Sequence, residues 1–383
     1  MSADAFEAIR ERSMAMVHSR RMLVLRAVIE DYIRSQEPVG SSALAHHHDL
    51  GVSSATIRND MAALEDEGYL VQPHTSAGRI PTEHGYRYFV DRLSTLVPLT
   101  QAQRRGITRF LGGSVSLQDT LQRGARILAD ITGQVAVISS PSLSKSTLRH
   151  VELVPLSDSR LLAVVITDTG GVAQHTLTMP EPCTQSDLDD FCSLINADCT
   201  GLRLFTAAQR IRTLALDTLS SPRRRLAGAL ADALTSMADD EQTSDLYMAG
   251  TSQLAHQRTI GDLAPLFDAL EEQVVLMRLM STLGEDQGGV GVAIGSETHN
   301  PGLIHASVVS SGYGRSPETA DETGTDTETG SERQAKGEHA DPVAFVGSIG
   351  PTHMDYGATM TAVRTVARYL TGLLAQDEDD DGH

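Results

Sequence analysis

Between Gln134 and Leu374 the apolar pattern changes period three times, and this limits the folds open to the chain. Strand-like runs occupy Gln134–Ser139, Leu148–Leu156, Arg160–Thr167 and Val172–Met179, with Asp168-Thr169-Gly170-Gly171 as a hairpin turn between the last two. From Thr184 to about Met280 the spacing is helical, with start signals at Ser186 and Ser221-Pro222. Strand-like runs return at Val290–Gly295, Leu303–Ser310 and Pro342–Ile349, and an amphipathic helix runs from about Tyr356 to Leu374. Strands, a helical block, more strands and a closing helix predict an α+β domain interrupted by a mostly helical insertion. Upstream, two amphipathic stretches lie between Pro98 and Thr132, broken at Gly112-Gly113.

The 383 residues leave room for two or three domains. The formal net charge is -19, from 50 acidic and 31 basic residues, and lysine occurs only at Lys145 and Lys336. As a bulk property this argues against a surface that holds polyanions everywhere. The charge is unevenly placed, however. Ser311–Asp341 holds eight acids and three bases, and Asp377–Asp381 holds five acids, so the two segments supply -10 of the total. Both are too poor in apolar residues to order themselves, and we expect a solvated loop at 311–341 and a solvated tail at 377–383. The remainder is only mildly acidic, which leaves local basic surfaces open.

Cys183, Cys192 and Cys199 are an odd set without C-x-x-C spacing, which suits a reducing compartment and disfavours a disulfide framework, zinc or a redox switch. The longest apolar run, Leu161–Ile166, is far short of a membrane span, and MSADAFEAIRERSMAMVHSRR has no signal-peptide core. A cytoplasmic protein is expected.

Residues 19–98 predict three helices followed by a turn-rich ribbon. Met22, Leu25, Val28, Ile29 and Tyr32 form the stripe of the first helix. A short second helix starts at Gly40-Ser41, with Ser41 as cap, and stops at Leu50 before Gly51. Ser53 caps the third helix, and Val52 and Ile57 form its hydrophobic staple. That helix should bury Ile57, Met61 and Leu64 and present Ala55, Arg58, Asn59 and Ala62 on the opposite face.

This layout is that of a helix-turn-helix with a recognition helix. Ala55 and Ala62 are small enough to let the backbone approach a groove floor. Arg58 suits a bidentate pair with guanine and Asn59 one with adenine. Ser53, Ser54 and Thr56, at the positive end of the helix dipole, suit phosphate oxygens. Asp60, Glu65, Asp66 and Glu67 count against DNA, although most lie toward the end that would leave the groove. Gly68–Val71 begins a strand, and the tip that follows contains His74, Thr75, Ser76, Gly78 and Arg79, a composition that fits a wing. Arg79 is expected to enter a minor groove or to pair with phosphate.

Other chemistry is weakly signalled. Consecutive residues on a helix diverge by about 100°, so His46-His47-His48 does not converge on one ion. Gly288–Gly295 leads into a strand instead of opening a helix, which removes the phosphate-binding geometry. No G-x-S-x-G, Walker A or H-E-x-x-H motif occurs. We therefore expect no enzyme, with no catalytic residue, cofactor or metal site.

VSSATIRNDMAALEDEGYL followed by HTSAGRIPTEHGYRYFVD resembles the N-terminal domain of HrcA, the heat-inducible transcription repressor family. Thr75–Asp91 is the more distinctive half. Tyr247–Ser252, Ile294–Glu297 and Gly350–Tyr356 resemble the family's Y-x-x-G-T-S, I-G-x-E and G-P-T-x-M-D-Y segments, so the likeness covers residues 19 to about 375. Residues 1–18, which precede the family's usual start and are expected to be a disordered extension or the product of a misplaced start codon, depart from the family pattern, as do the long acidic segment and the Asp-rich tail.

The resemblance implies a winged-helix DNA-binding domain at 19–98 and a GAF-like domain at 99–183 and 256–376, with an inserted dimerising domain at 184–255. It implies a dimeric repressor of chaperone operons at an inverted-repeat operator called CIRCE, kept active by a GroEL-type chaperonin. A rival reading is a winged-helix regulator whose GAF-like domain senses a metabolite. A third, an enzyme with an appended DNA-binding domain, lacks a catalytic constellation.

Overall fold

The computed structural model describes residues 3–74, 77–93, 100, 105–107, 109, 111, 116–180, 182–217, 221–239, 245–252, 268–284, 289–314 and 342–379. The expected contact residues Thr75 and Ser76, most of the stretch before Gly112-Gly113, acidic residues 315–341 and tail residues 380–383 lie outside these.

The chain begins with α1 (Ala3–Ser35), α2 (Ser41–His47), α3 (Ser54–Asp66), the ribbon strands β1 (Leu70–Val71) and β2 (Ile80–Pro81), and α4 (Glu83–Asp91). Helix α1 takes in residues 3–18, a difference from the expected disordered extension. No Gly or Pro interrupts the chain until Pro38, so nothing stops helix propagation, and Gln36 ends it with φ 56°.

Next come α5 (Leu117–Thr132) and β3 (Val135–Ser139). A three-stranded antiparallel sheet follows, made of β4 (Leu148–Ser157), β5 (Arg160–Thr167) and β6 (Val172–Thr178) in that order. Three helices succeed it: α6 (Gln185–Cys199), α7 (Leu204–Asp217) and α8 (Ser221–Asp239). The chain returns with β7 (Leu246–Ala249), α9 (Gln273–Gly284), β8 (Gly291–Ile294), β9 (Ala306–Tyr313), β10 (Ala344–Pro351) and α10 (Tyr356–Asp379).

Strands β7, β3, β10, β9 and β8 form, in that order, a second sheet, antiparallel throughout. Alternation along β3 sends Ala136 and Ile138 to one face and Val135 and Val137 to the other. The first face is covered by α5 and α10 through Leu121, Leu128, Val363, Val366 and Leu370. The second is covered by α9 through Leu276 and Met280. The architecture is mixed helix and antiparallel sheet.

Apolar packing groups the elements differently from the expected limits at 184 and 255. Leu148, Val151, Leu153, Ala163 and Val165 pack on Leu188, Phe191, Ile195, Ile211, Leu230 and Leu234. Strands β4–β6, expected to belong to the domain outside 184–255, thus share a core with α6–α8, and β7, expected inside that range, joins the larger sheet. The physical reason is the junction. Ser139 of β3 pairs with Leu246 of β7, and Ser140 N–H donates to the Asp245 carbonyl at 2.8 Å, so the chain leaves and re-enters at adjoining strand ends. Asn196 of α6 holds the edge of β4, accepting from Val151 N–H at 2.8 Å and donating to its carbonyl at 2.9 Å. Cys192 and Cys199 are buried in this core, and burial pushes both thiols up to about 11.

The acidic segment also begins later than expected. Ser311–Tyr313 belong to β9, and the buried Tyr313 hydroxyl donates to the Ser139 carbonyl at 2.5 Å. Tyr313 pairs with Ala344, so the segment joins two neighbouring strands of one hairpin. Helix α10 continues through Asp379, into the expected tail. Among the described residues no helix is long and apolar enough to cross a membrane.

Candidate nucleic-acid interface

The N-terminal helices pack Val24, Leu25, Val28 and Ile29 against Leu44, Ile57, Met61 and Leu64. Gly40 is the cap position of α2, not Ser41, which lies inside the helix and is buried. The helix ends at His47, earlier than the glycine signal implied. Gly51, with φ 66°, supplies the left-handed residue that turns the chain toward α3. Ser53 caps α3 as expected, its Oγ accepting from Thr56 N–H at 3.3 Å.

The faces of α3 divide as the period dictates. Ile57, Met61 and Leu64 are buried, Ala55, Arg58 and Asn59 are exposed, and Ala62 is half-buried. Ser53 is exposed, while Ser54 and Thr56 are half-buried. No hydrogen bond or ion pair engages the Arg58 guanidinium among the described residues.

Of the four acids on α3 and at its C-cap, three are tied back into the module. Arg20 of α1 forks onto both oxygens of Asp60 at 2.8 and 2.9 Å, and the Asp60 side chain is only 4% exposed. Arg21 Nη1 donates to Glu67 at 2.9 Å. Glu65 accepts from Arg79 Nε at 2.9 Å and from Gln72 N–H at 3.1 Å. Asp60, by its sequence position a cost to DNA approach, is buried on the core side of the helix and faces away from the exposed Arg58 and Asn59.

The ribbon departs from expectation at two positions. Arg79 is not a free cation at the tip: its side chain is 16% exposed and bound to Glu65, and its backbone bridges Val39 in both directions at 2.9 and 3.0 Å. Gly78 is also structural, because a Cβ there would lie 2.4 Å from the Val39 carbonyl carbon and oxygen. His74 is exposed near the tip. Of the predicted contact residues, Ser53, Ala55, Arg58, Asn59 and His74 are therefore in the open, with Ser54 and Thr56 half-buried beside them.

Sequence reasoning missed all three of these ion pairs. Their partners lie 14 to 46 residues apart and leave no periodic trace. In the histidine run His46 and His47 are exposed, His48 Nε2 sits 2.9 Å from Asp31 Oδ1, and His47 Nδ1 lies 3.6 Å from the other oxygen of the same carboxylate.

Residues 118–360 match the family model described as the HrcA protein C-terminal domain. The chain is 65% identical over 373 residues to the heat-inducible transcription repressor HrcA of Bifidobacterium adolescentis, covering 95% of this chain and 99% of that protein. It is 64% identical over 372 residues to the protein of the same name from Bifidobacterium longum subsp. infantis, covering 96% and 100%. Identity to the Streptomyces avermitilis protein of that name is 43% over 364 residues, covering 94% and 100%. In fold, the chain resembles a crystal structure of a hypothetical protein with a TM-score of 0.57 at 21% identity, covering 94% of this chain and 98% of that one.

Proposed function

The chain belongs to the HrcA family of heat-inducible transcription repressors, non-enzymatic regulators, and on that premise we propose that it represses chaperone operons by binding an inverted-repeat operator of CIRCE type as a dimer. Helices α1–α4 with β1 and β2 act as a winged helix-turn-helix. The five-stranded sheet with α5, α9 and α10 is the GAF-like domain, and β4–β6 with α6–α8 is the dimerising insertion. A GroEL-type chaperonin keeps the repressor competent, and the protein works in the cytoplasm at the nucleoid.

One observation carries the reading: the outward face of α3 holds an uncommitted Arg58 beside Asn59, while Asp60, Glu65 and Glu67 are neutralised from within the module. Arg58 pairs with guanine and Asn59 with adenine in the major groove. Ser53, Ser54 and Thr56 meet phosphate at the start of the helix, and Ala55 permits close approach. His74, with Thr75 and Ser76, forms the contact of the wing. Gly78 and Arg79 hold the stem of that wing in place.

Dimerisation is supported by apolar area left open on the insertion. Phe205 and Leu216, eleven residues apart on one face of α7, are 48% and 73% exposed. A two-fold dimer matches an inverted repeat, since one recognition helix covers too few base pairs for genomic specificity. Footprinting upstream of a chaperone operon should show a protected inverted repeat, with occupancy falling when chaperonin is withdrawn. Unprotected DNA would overturn the repressor reading; occupancy indifferent to chaperonin would overturn only the gating.

A metabolite-sensing reading has one observation in its favour. A cavity of about 300 Å³ lies where α5 meets the insertion, with Ser116, Gln118, Ser140, Asp245 and Tyr247 among its lining residues. A small molecule that both stabilises the protein in a thermal-shift screen and changes operator affinity would establish it.

A further inference from the structure

Three of the segments that carry the family resemblance are distant in sequence and meet at one joint. Helix α4 ends the N-terminal module. From it, Arg87 Nε donates to Glu297 Oε1 at 2.7 Å, its Nη2 donates to the Val292 carbonyl at 2.7 Å, and Nη2 also pairs with Glu297 Oε2. Glu297 is itself held, accepting from Ile294 N–H at 2.9 Å. One turn earlier on α4, Glu83 Oε2 accepts from Ser296 N–H at 3.2 Å and from the Ser296 hydroxyl at 2.6 Å.

Gly295 makes this approach possible. Its φ is 53°, and a Cβ there would lie 2.1 Å from a Glu83 carboxylate oxygen and 3.0 Å from the Ile304 carbonyl. Beneath the polar groups, Tyr86 packs on Tyr356 with ring centroids 5.8 Å apart, and Tyr356 exchanges a hydrogen bond with Ser307 at 2.8 Å. The joint thus has an apolar floor and two reciprocal carboxylate contacts, and Arg87 engages three acceptors on the core side.

The apolar floor is part of the hydrophobic core that the module shares with the sheet, and it resists separation. The Arg87 fork and the Glu83 contact add direction to it, because planar bidentate pairs are directional where apolar packing is not. Resting on the operator reading above, we propose that Arg87, Glu297, Glu83 and Ser296 form a latch that fixes the orientation of the DNA-reading module on the core, and thereby sets the half-site spacing that the dimer accepts. Arg87 is a positioning residue: it lies on α4, outside the reading surface, and acts through the placement of α3.

The test uses the full-length protein with Arg87→Ala, Glu297→Gln and Gly295→Ala. Spin labels at Val71→Cys and Ile304→Cys, in a Cys183→Ser background, report the distance between module and core. The parent should give one narrow distribution and each latch variant a broad one; an unchanged distribution overturns the latch, whether or not DNA binds. Duplexes carrying the footprinted inverted repeat at its own spacing, and at spacings altered by 1–5 base pairs, read the consequence. The parent should prefer its own spacing by about tenfold or more, and the variants by less than about threefold, with single half-site affinity kept within about twofold. An unaltered preference overturns the spacing role. Tighter variant binding at the native spacing overturns it as well, because the latch would then hold the module away from its operator arrangement. A parent that binds no inverted repeat defeats the operator reading and with it the spacing role, while the label distances still decide the latch.

Discussion

The two main hydrophobic cores of this chain are bounded in different ways. One runs from the underside of α3 through α1 and α4 into the five-stranded sheet and α10 without a break. The other closes on itself between β4–β6 and α6–α8. The N-terminal module looks separable by sequence and is continuous with its neighbour in packing. Residues 184–255 look like a helical block by sequence, and their helices share a closed core with the sheet β4–β6. Domain limits follow where apolar contact stops, not where secondary structure changes type.

The comparison can be broken most forcefully inside the insertion. Phe191→Ala should cost the insertion about 3–5 kcal/mol, seen as an early transition in thermal unfolding. Affinity for a single half-site should stay within about twofold; a parallel fall would mean that the two cores are one. Asp60→Ala should cost about 2–3 kcal/mol, less than the roughly 3–5 kcal/mol of a fully buried pair because Arg20 remains partly solvated. Here hydrogen exchange should rise in β9 as well as in α3, since that core is shared.

Arg58→Ala sharpens the functional side of the contrast. It should remove about 1–3 kcal/mol of base discrimination at one position per half-site, measured by competition with substituted operators, and leave the unfolding midpoint unchanged. Arg79→Ala should weaken binding by about 1 kcal/mol through the loosened ribbon. Because Arg79 is committed to Glu65, the slope of log affinity against log salt should not change; a slope reduced by about 1 would restore it as a phosphate contact. Tyr86→Phe should have the smallest effect. The Tyr86 hydroxyl is buried without a partner among the described residues, so its removal should shift stability by under about 0.5 kcal/mol or raise it slightly in denaturant titrations.

What was legible in the sequence was local. The Ser53 cap, the buried stripe of α3, the open Arg58 and Asn59, and the strand runs at 134–139 and 160–167 all follow from spacing over a few residues. What was not legible was set at a distance. An alternating strand carries the same pattern whichever helices cover it, so β4–β6 could not announce their partners. Arg79 reads as a wing cation until Glu65 is seen beside it, and nothing near Arg87 in sequence points to Glu297, 210 residues away.

The arginines held by Asp60, Glu65 and Glu67 have a kinetic consequence. Proteins that glide along DNA do so on loosely held cations that trade one phosphate for the next, and such cations also draw the protein in from solution. Arg20, Arg21 and Arg79 are engaged by their own carboxylates and offer little of either. A chain that reads DNA with this module reaches its operator by three-dimensional collision at an ordinary rate, about 10⁵–10⁷ M⁻¹s⁻¹, without the acceleration that electrostatic steering provides. Its hold on a promoter is then governed by residence time, so preventing a departed molecule from coming back clears that promoter no faster than the complex falls apart.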